Sequence, residues 1–527
     1  MQGASGYVQL TRLIIRRDRV YLPCWFIGLV FLSCFYVPEM QIFIGSGESV
    51  EVIIEMMQNP AMIAIMGAPF GKEIGPLYAQ FMTVYTALAV GIFNIMFVIR
   101  HTRKDEEEGR IEIINSLPVG RAANLLAVFT VVLAADMLIA LASTLMFVVL
   151  NIDGMGIFGG AVFSCAIASA GFVFAGLAAV YAQLSATSRN ASAMSFYTLG
   201  ISFLIRAVGD VSCEALSRFS PLGLAQRAQP WVSNQLWPIV LMVTAALVFF
   251  AVAFVLNSRR DTGAGLIAER SGRRYASPFL RNELGLAFRL TRATCLAWIL
   301  AMFVLGLMVG AIFNDMAGFF TTNELYRQLI GIGVADEETL IKTFIEFIML
   351  IMTVLTAIPV CQVVLRCISE EHHGRTEQLY GLAVSRFRML GSYWIISLGL
   401  AVVTQLTLAL GVYVSALPTS DTPPQLSMLL STTMCYVPAL LVFSGLAVAL
   451  CGLLPRASAA AWVFIAYNFL MQYLGNMLSL PEFARKLSPL EWVKPGSEPV
   501  AFVGVGLFGL FAAWVGLLAY RRRDLSG

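Results

Sequence analysis

Charge is what this sequence of 527 residues has least of: 13% of its side chains are Asp, Glu, Lys or Arg, while 58% are hydrophobic. Soluble globular domains carry about 25% charged residues, so a water-facing surface over a chain of this length is excluded. The mean hydropathy of +0.78 points the same way, to a chain that folds in a bilayer. The net charge of +3 and pI near 8.3 are too mild to argue for a nucleic-acid partner.

Catalytic signatures are also missing. The sequence contains no G-x-x-x-x-G-K-[ST] phosphate loop, no H-E-x-x-H and no G-x-S-x-G. Its nine cysteines include no C-x-x-C pair and no Cys/His cluster, so neither a disulfide framework nor a metal site is expected. Most of them sit within or beside apolar runs, as small buried side chains do. The longest stretches outside apolar runs, 39–75, 316–342 and a linker, are each too short for a soluble catalytic domain. Chemistry must come from a partner. Arg16, Arg17 and Arg19 precede the first apolar run, but no A-x-A cleavage site follows and the pattern returns at mid-chain, so an uncleaved membrane helix is expected.

What is present is a duplication. Glu106, Gly109, Arg110, Glu112, Leu117, Val119 and Arg121 recur as Glu371, Gly374, Arg375, Glu377, Leu382, Val384 and Arg386, seven identities in 17 positions at an offset of 265. Composition alone would give about one. Arg16, Arg19 and Trp25 are echoed by Arg289, Arg292 and Trp298, and Ser220-Pro221-Leu222 by Ser488-Pro489-Leu490. Half the chain copies the other half.

A membrane-crossing helix needs about 20 mostly apolar residues. Six such runs occur in each half: 20–38, 76–99, 122–150, 157–183, 192–213 and 236–256, then 293–315, 343–366, 391–417, 427–453, 459–479 and 499–519. Basic residues near span ends are retained on the cytoplasmic side. With the N-terminus inside, cytoplasmic segments hold 26 of the 35 Lys and Arg, so both termini are expected in the cytoplasm. The expected fold is an all-α integral membrane protein of 12 transmembrane helices in two parallel six-helix repeats, related by a pseudo-twofold axis along the membrane normal, with a central pathway between them. The halves are residues 1–256 and 282–527, joined by a basic cytoplasmic linker, 257–281.

Gly6 to Val20 and Asn282 to Thr294, ahead of the first span of each half, mix basic with apolar residues. Each is either a helix lying in the headgroup layer or simply the cytoplasmic end of a span.

The repeated motif lies on the expected cytoplasmic side, between the second and third spans of each half. Asp105, Glu106, Glu107 and Glu108 precede Gly109-Arg110, and Glu370, Glu371, His372 and His373 precede Gly374-Arg375. Acids, a glycine, then Arg and Glu predict a short helix turned sharply at the glycine and held between two long spans. Such an element can pass a push from a docked partner into the membrane. A solvated loop obeying the positive-inside rule is the plainer reading, but that rule does not ask for glutamates in register in both halves.

The pattern E-x-x-G-R-x-E-x-x-x-x-L-[PA]-V-x-R resembles that of ATP-binding-cassette transporter permeases of the ABC-2 type, with a type V exporter-like fold. The doubled arrangement is similar to the tetronasin or polyketide-antibiotic multidrug exporters of actinobacteria and other Gram-positive bacteria. Asn59-Pro60-Ala61 through Gly67 after the first span and Ser220-Pro221-Leu222 before the sixth add to the likeness. The resemblance implies an export permease of the bacterial plasma membrane that moves hydrophobic or amphipathic, drug-like compounds outward. Two copies of a separate ATPase subunit would then dock on the motifs, through Glu106, Glu107, Glu108, Gly109, Arg110, Glu112 and Arg121 in one half and Glu370, Glu371, Gly374, Arg375, Glu377 and Arg386 in the other. This chain would bind no cofactor itself; ATP and Mg would sit in the partner. His372, His373 and Ala383 depart from the first copy, so unequal contacts are implied.

Ionisable residues within spans are costly and are functional candidates. Asp136 lies in the third span, Arg206 and Asp210 in the fifth, and Asp136 with Arg206 either pair or line a polar pathway. Asn94, Asn468 and Gln472 are weaker candidates, since helix-to-helix hydrogen bonds are their commoner use. The 23 Met and 36 Phe either coat an adaptable cavity or face lipid. Pro60 to Gly67 and Leu325 to Gly331 are outer helix candidates, as lids or interfacial anchors. Two other classes compete: a proton-coupled secondary transporter, for which Asp136 and Arg206 are thin support, and an intramembrane lipid enzyme, for which no clustered nucleophile or dyad exists.

Overall fold

The computed structural model describes residues 5–38, 40, 60–261, 263–267, 275–311, 337–381, 384–419, 423–474 and 482–523. Among them all regular structure is helical, in two compact units, Met1–Gly272 and Arg273–Gly527. The first contains α1 (Tyr7–Arg17), α2 (Tyr21–Cys34), α3 (Pro60–Met66), α4 (Ile74–Glu107), α5 (Arg110–Asn115), α6 (Ala123–Leu150), α7 (Ile157–Leu184), α8 (Ser188–Ser212), α9 (Pro221–Gln226) and α10 (Trp237–Arg259). The second contains α11 (Glu283–Ala311), α12 (Glu337–His372), α13 (Arg375–Tyr380), α14 (Arg386–Thr419), α15 (Leu426–Leu453), α16 (Ala460–Leu474), α17 (Pro489–Trp492) and α18 (Pro499–Arg522).

Ten helices among the described residues are long and apolar enough to cross a membrane, where the sequence predicts twelve: α4, α6, α7, α8, α10, α11, α12, α14, α15 and α18. The first predicted span is represented by α2, whose 14 residues rise about 21 Å at 1.5 Å per residue, short of a hydrocarbon core of about 30 Å. A turn at Phe35–Tyr36 ends it, and helical backbone resumes at Val37. The eleventh predicted span is α16, with 15 described residues. The outer candidate Leu325 to Gly331 lies outside the described residues.

Burial sorts the spans of the first unit. Helix α7, rich in Ala and Gly, is inside almost throughout and packs against α4, α6, α8 and α10. Small residues allow this, since helices in lipid associate through close backbone packing rather than through a hydrophobic drive. In the second unit α15 meets α18 in the same way: Gly445 and Gly452 face Gly509 and Gly516, and a Cβ at Gly509 would stand 2.6 Å from the Leu441 carbonyl carbon. Helices α11 and α14 approach as closely where Gly306 faces Gly411.

The stretches ahead of the first spans resolve differently in the two halves. Gly6 to Val20 forms a separate helix, α1, with Leu10 and Ile14 buried, packed on α6, while Val8, Leu13 and Ile15 are exposed. Asn282 to Thr294 instead runs straight into α11. Matching positions differ at several places, among them Pro23 against Leu296 and Asp18 against Thr291, and a proline lacks the N–H that would carry a helix on from Arg19. Asp18 caps the end of α1, its carboxylate held by His101 at 2.6 Å and Arg100 at 3.0 Å. The matching residue is Thr291, whose hydroxyl folds back onto the Ala287 carbonyl within the helix.

Gly509→Val should force α15 and α18 apart. Overpacking costs about 1–3 kcal/mol, so thermal unfolding of the detergent-purified chain should show a lower midpoint. Gly504→Val on the same helix, where a Cβ meets nothing within 4 Å, should leave it unchanged.

Candidate functional site in the two glycine-hinged loops

Both copies of the motif build a left-handed glycine turn followed by a six-residue helix. Helix α4 loosens into a π turn at Arg100–Lys104 and ends at Glu107; Gly109 then takes φ 72° and its N–H reaches the Glu106 carbonyl at 3.1 Å. In the second half Gly374 takes φ 67° and its N–H reaches Glu371 at 2.8 Å. A left-handed residue reverses the chain within one turn, which glycine does without a Cβ penalty. Each glycine starts a six-residue helix, α5 or α13, and both helices begin with Arg and place Glu third.

The acids divide into inward and outward groups. Glu106 is buried between two arginines, Arg103 at 2.9 Å and Arg260 at 2.8 Å, and also accepts the Gly263 N–H at 2.6 Å. Arg103 in turn donates to the carbonyls of Ala186 and Gly263 at 2.9 and 3.1 Å. Asp105, also buried, takes Arg17 at 2.7 Å and Arg110 at 2.6 Å. In the second half Glu371 holds Arg523 at 2.5 Å and the Tyr520 hydroxyl at 3.3 Å, and Glu370 holds Arg366 at 2.5 Å and Arg375 at 3.0 Å. The last arginine of each motif closes the circuit: Arg121 donates to the Arg260 carbonyl and Arg386 to that of Arg523. Thus Glu106, Glu370 and Glu371 face their own arginines.

Solvent sees the remaining acids. Glu107 is exposed and binds the Ser188 backbone N–H at 2.7 Å, so it also caps α8, and Glu108 is exposed beside Arg110. Glu112 and Glu377 are exposed, and neither makes an ion pair among the described residues. His372 and His373 are exposed where the first copy has Glu107 and Glu108.

Arg260 and Arg523 escape a search for the motif because each ends a run of arginines after the last span. One signal marks them: both precede an aspartate, Asp261 and Asp524, at an offset of 263. They tie each loop to α10 or α18.

The seats beneath the loops differ. Under α5 lies a cleft of about 60 Å³ lined by Thr102, Asn124, Gln183, Asn257, Arg121 and Arg260, with the Gln183 Oε1 unpartnered. The second half places Cys367, Met389, Leu450 and Tyr520 at the corresponding positions. Tyr520 fills its seat, 1% exposed, with its hydroxyl 2.9 Å from that of Tyr380, and burial pushes the Tyr380 phenol up to about 12.

Asp136 and Arg206 are not partners. The Asp136 carboxylate accepts both its hydrogen bonds, at 2.9 and 3.1 Å, from Asn94 across α4 and α6. Arg206 pairs with Asp210 one turn along α8, at 3.3 Å, and donates to the carbonyls of Ala64 and Ile65. Asn468 and Gln472 meet at Ser488, which donates to Asn468 at 2.7 Å and accepts from Gln472 at 3.1 Å. Ser202 and Ser220 occupy the matching place in the first half, 2.8 Å apart.

A family model described as the C-terminal domain of the multidrug efflux system permease Rv1217c matches residues 10–256 and 280–521. The multidrug efflux system permease protein Rv1217c of Mycobacterium tuberculosis (strain ATCC 25618 / H37Rv) is 32% identical over 540 residues, which cover 99% of this chain and 96% of that protein.

The glycine hinges predict an order of substitutions. A Cβ at Gly109 or Gly374 meets nothing within 4 Å, so the effect of Gly109→Ala or Gly374→Ala is the left-handed backbone alone, about 1 kcal/mol. Amides of 110–115 or 375–380 should then exchange about fivefold faster. Asn, which tolerates the left-handed region, should cost less than Ala at either position.

Proposed function

Because the chain belongs to the Rv1217c multidrug efflux permease family, we propose that it is the membrane-spanning subunit of an ATP-binding-cassette exporter of the ABC-2 type. Two copies of a separate ATPase subunit, supplying ATP and Mg, dock on the loops at 100–121 and 366–390. They drive hydrophobic or amphipathic compounds out through the bacterial plasma membrane. Both termini lie in the cytoplasm, and twelve spans in two parallel repeats make up the permease.

The observation that carries this reading is the duplicated circuit of a hinged loop anchored by a buried carboxylate to the arginine that ends the last span. A solvated loop needs no such anchor. Force applied to α5 or α13 passes through Glu106 and Arg260, or Glu371 and Arg523, into α10 and α18, and along the chain into α6 and α14. The outward acids, Glu107, Glu108, Glu112 and Glu377, are the contact surface; Glu106, Asp105, Glu370 and Glu371 transmit the load. The polar cleft under one loop and Tyr520 under the other make the two docking contacts unequal.

Glu112 and Glu377 are the cleanest probes, since neither serves an internal ion pair among the described residues. Glu112→Lys with Glu377→Lys should leave the yield of folded permease unchanged and lower the co-purifying ATPase activity at least tenfold. Export by the purified chain in proteoliposomes on a proton gradient, with no ATPase present, would contradict the proposal.

A further inference from the structure

The end of α3 carries the least expected chemistry in the first half. The last carbonyls of a helix have no partner within it, and here four successive ones are taken by side chains from three other elements. Arg206 of α8 donates to Ala64 at 2.6 Å and Ile65 at 3.0 Å; Gln226 of α9 donates to Met66; Gln80 of α4 donates to Gly67 at 2.7 Å. Arg206 is fully buried, its charge balanced by Asp210, and its guanidinium lies 4.8 Å from the centre of the Phe203 ring. A cation at a helix C-terminus also meets the negative end of the helix dipole. Gly67, at φ 97°, leaves no room for a Cβ beside the Gln226 amide. The second half has Gln472, Lys494 and Ile345 at the corresponding positions, and Gln472 is committed to Ser488.

We propose that Arg206 is a positioning residue that, with Gln80 and Gln226, locks α3 to α4, α8 and α9 as a fixed outer plug of the first half. Helix α3 then does not swing as an independent lid. It travels with the second and fifth spans, so the outer exit on this side opens only when those spans move. The anchor stands on the geometry alone; its part in gating rests on the transport reading.

The test uses the full-length chain in nanodiscs and reads amide exchange of residues 64–67, which needs neither drug nor ATPase. Arg206→Gln should speed that exchange at least tenfold, and Arg206→Lys should fall between Gln and wild type, because a single amine cannot serve every carbonyl that the guanidinium does. Gln226→Ala, which leaves the buried ion pair intact and guards against misfolding, should speed it at least threefold. Exchange within twofold of wild type in both Arg206→Gln and Gln226→Ala would overturn the anchor. For gating, ethidium efflux by cells making the permease with its ATPase should fall at least fivefold in Arg206→Gln, while ethidium-stimulated ATP hydrolysis of the purified complex stays within twofold. Unchanged efflux alongside faster exchange would overturn the gating role. A wild-type complex that moves no dye counts against the transport reading, and the exchange arm still decides the anchor.

Discussion

A carboxylate buried at the membrane border is the constraint around which each half is arranged. Taking an ion out of water costs several kcal/mol, returned only if a partner and the remaining hydrogen bonds are in place. Glu106 meets that demand with two arginines and a backbone N–H, and Glu371 with one arginine and a tyrosine hydroxyl. Arg260 in one half, and Arg523 with Tyr520 in the other, come from the end of the last span, so satisfying the charge ties the loop to that span. Removing one partner of such a pair costs about 3–5 kcal/mol, more than a surface ion pair, at 1 kcal/mol or less, can contribute. The loop is therefore a stiff element whose exposed face is free to be used.

The two halves keep this circuit and diverge around it. Position 18 bears an aspartate at the end of a helix, position 291 a threonine inside one. Position 257 is an asparagine beside a cleft, position 520 a tyrosine that plugs one. Position 206 is an arginine clamped on the end of α3, position 472 a glutamine turned to Ser488. Each change alters how a span end is packed while the glycine hinge and the anchoring arginine stay. Beneath its loop one half carries a polar cleft, the other the Tyr520 ring.

Much of this was legible in the sequence because repetition and hydropathy are one-dimensional signals. The hinges at Gly109 and Gly374 follow from the aligned acids and glycines, and most spans follow from apolar runs. Side-chain destinations are not one-dimensional. Asp136 and Arg206 look like a pair because both are intramembrane and opposite in charge, but Asn94 on a neighbouring helix and Asp210 four residues along lie closer to hand. The glutamates of the motif are alike in sequence, yet Glu106 and Glu371 turn in while Glu112 and Glu377, beyond the glycine hinge, turn out. Arg260 and Arg523 each end a run of adjacent arginines, which conceals them in the sequence. At the first predicted span a turn at Phe35–Tyr36 divides the apolar run, with helical backbone on either side of it.

The pair Glu371 and Arg523 offers the most direct test, because no second arginine shares that carboxylate among the described residues. A double-mutant cycle of Glu371→Gln, Arg523→Gln and both together, read by thermal or denaturant unfolding, isolates their coupling. The account predicts that each single change destabilises the chain by about 3 kcal/mol. The double change should cost less than the sum of the singles by about 2 kcal/mol or more, within the range seen for contacting residues. Additivity to within about 0.5 kcal/mol would mean that the loop is not held by this pair, and would contradict the account.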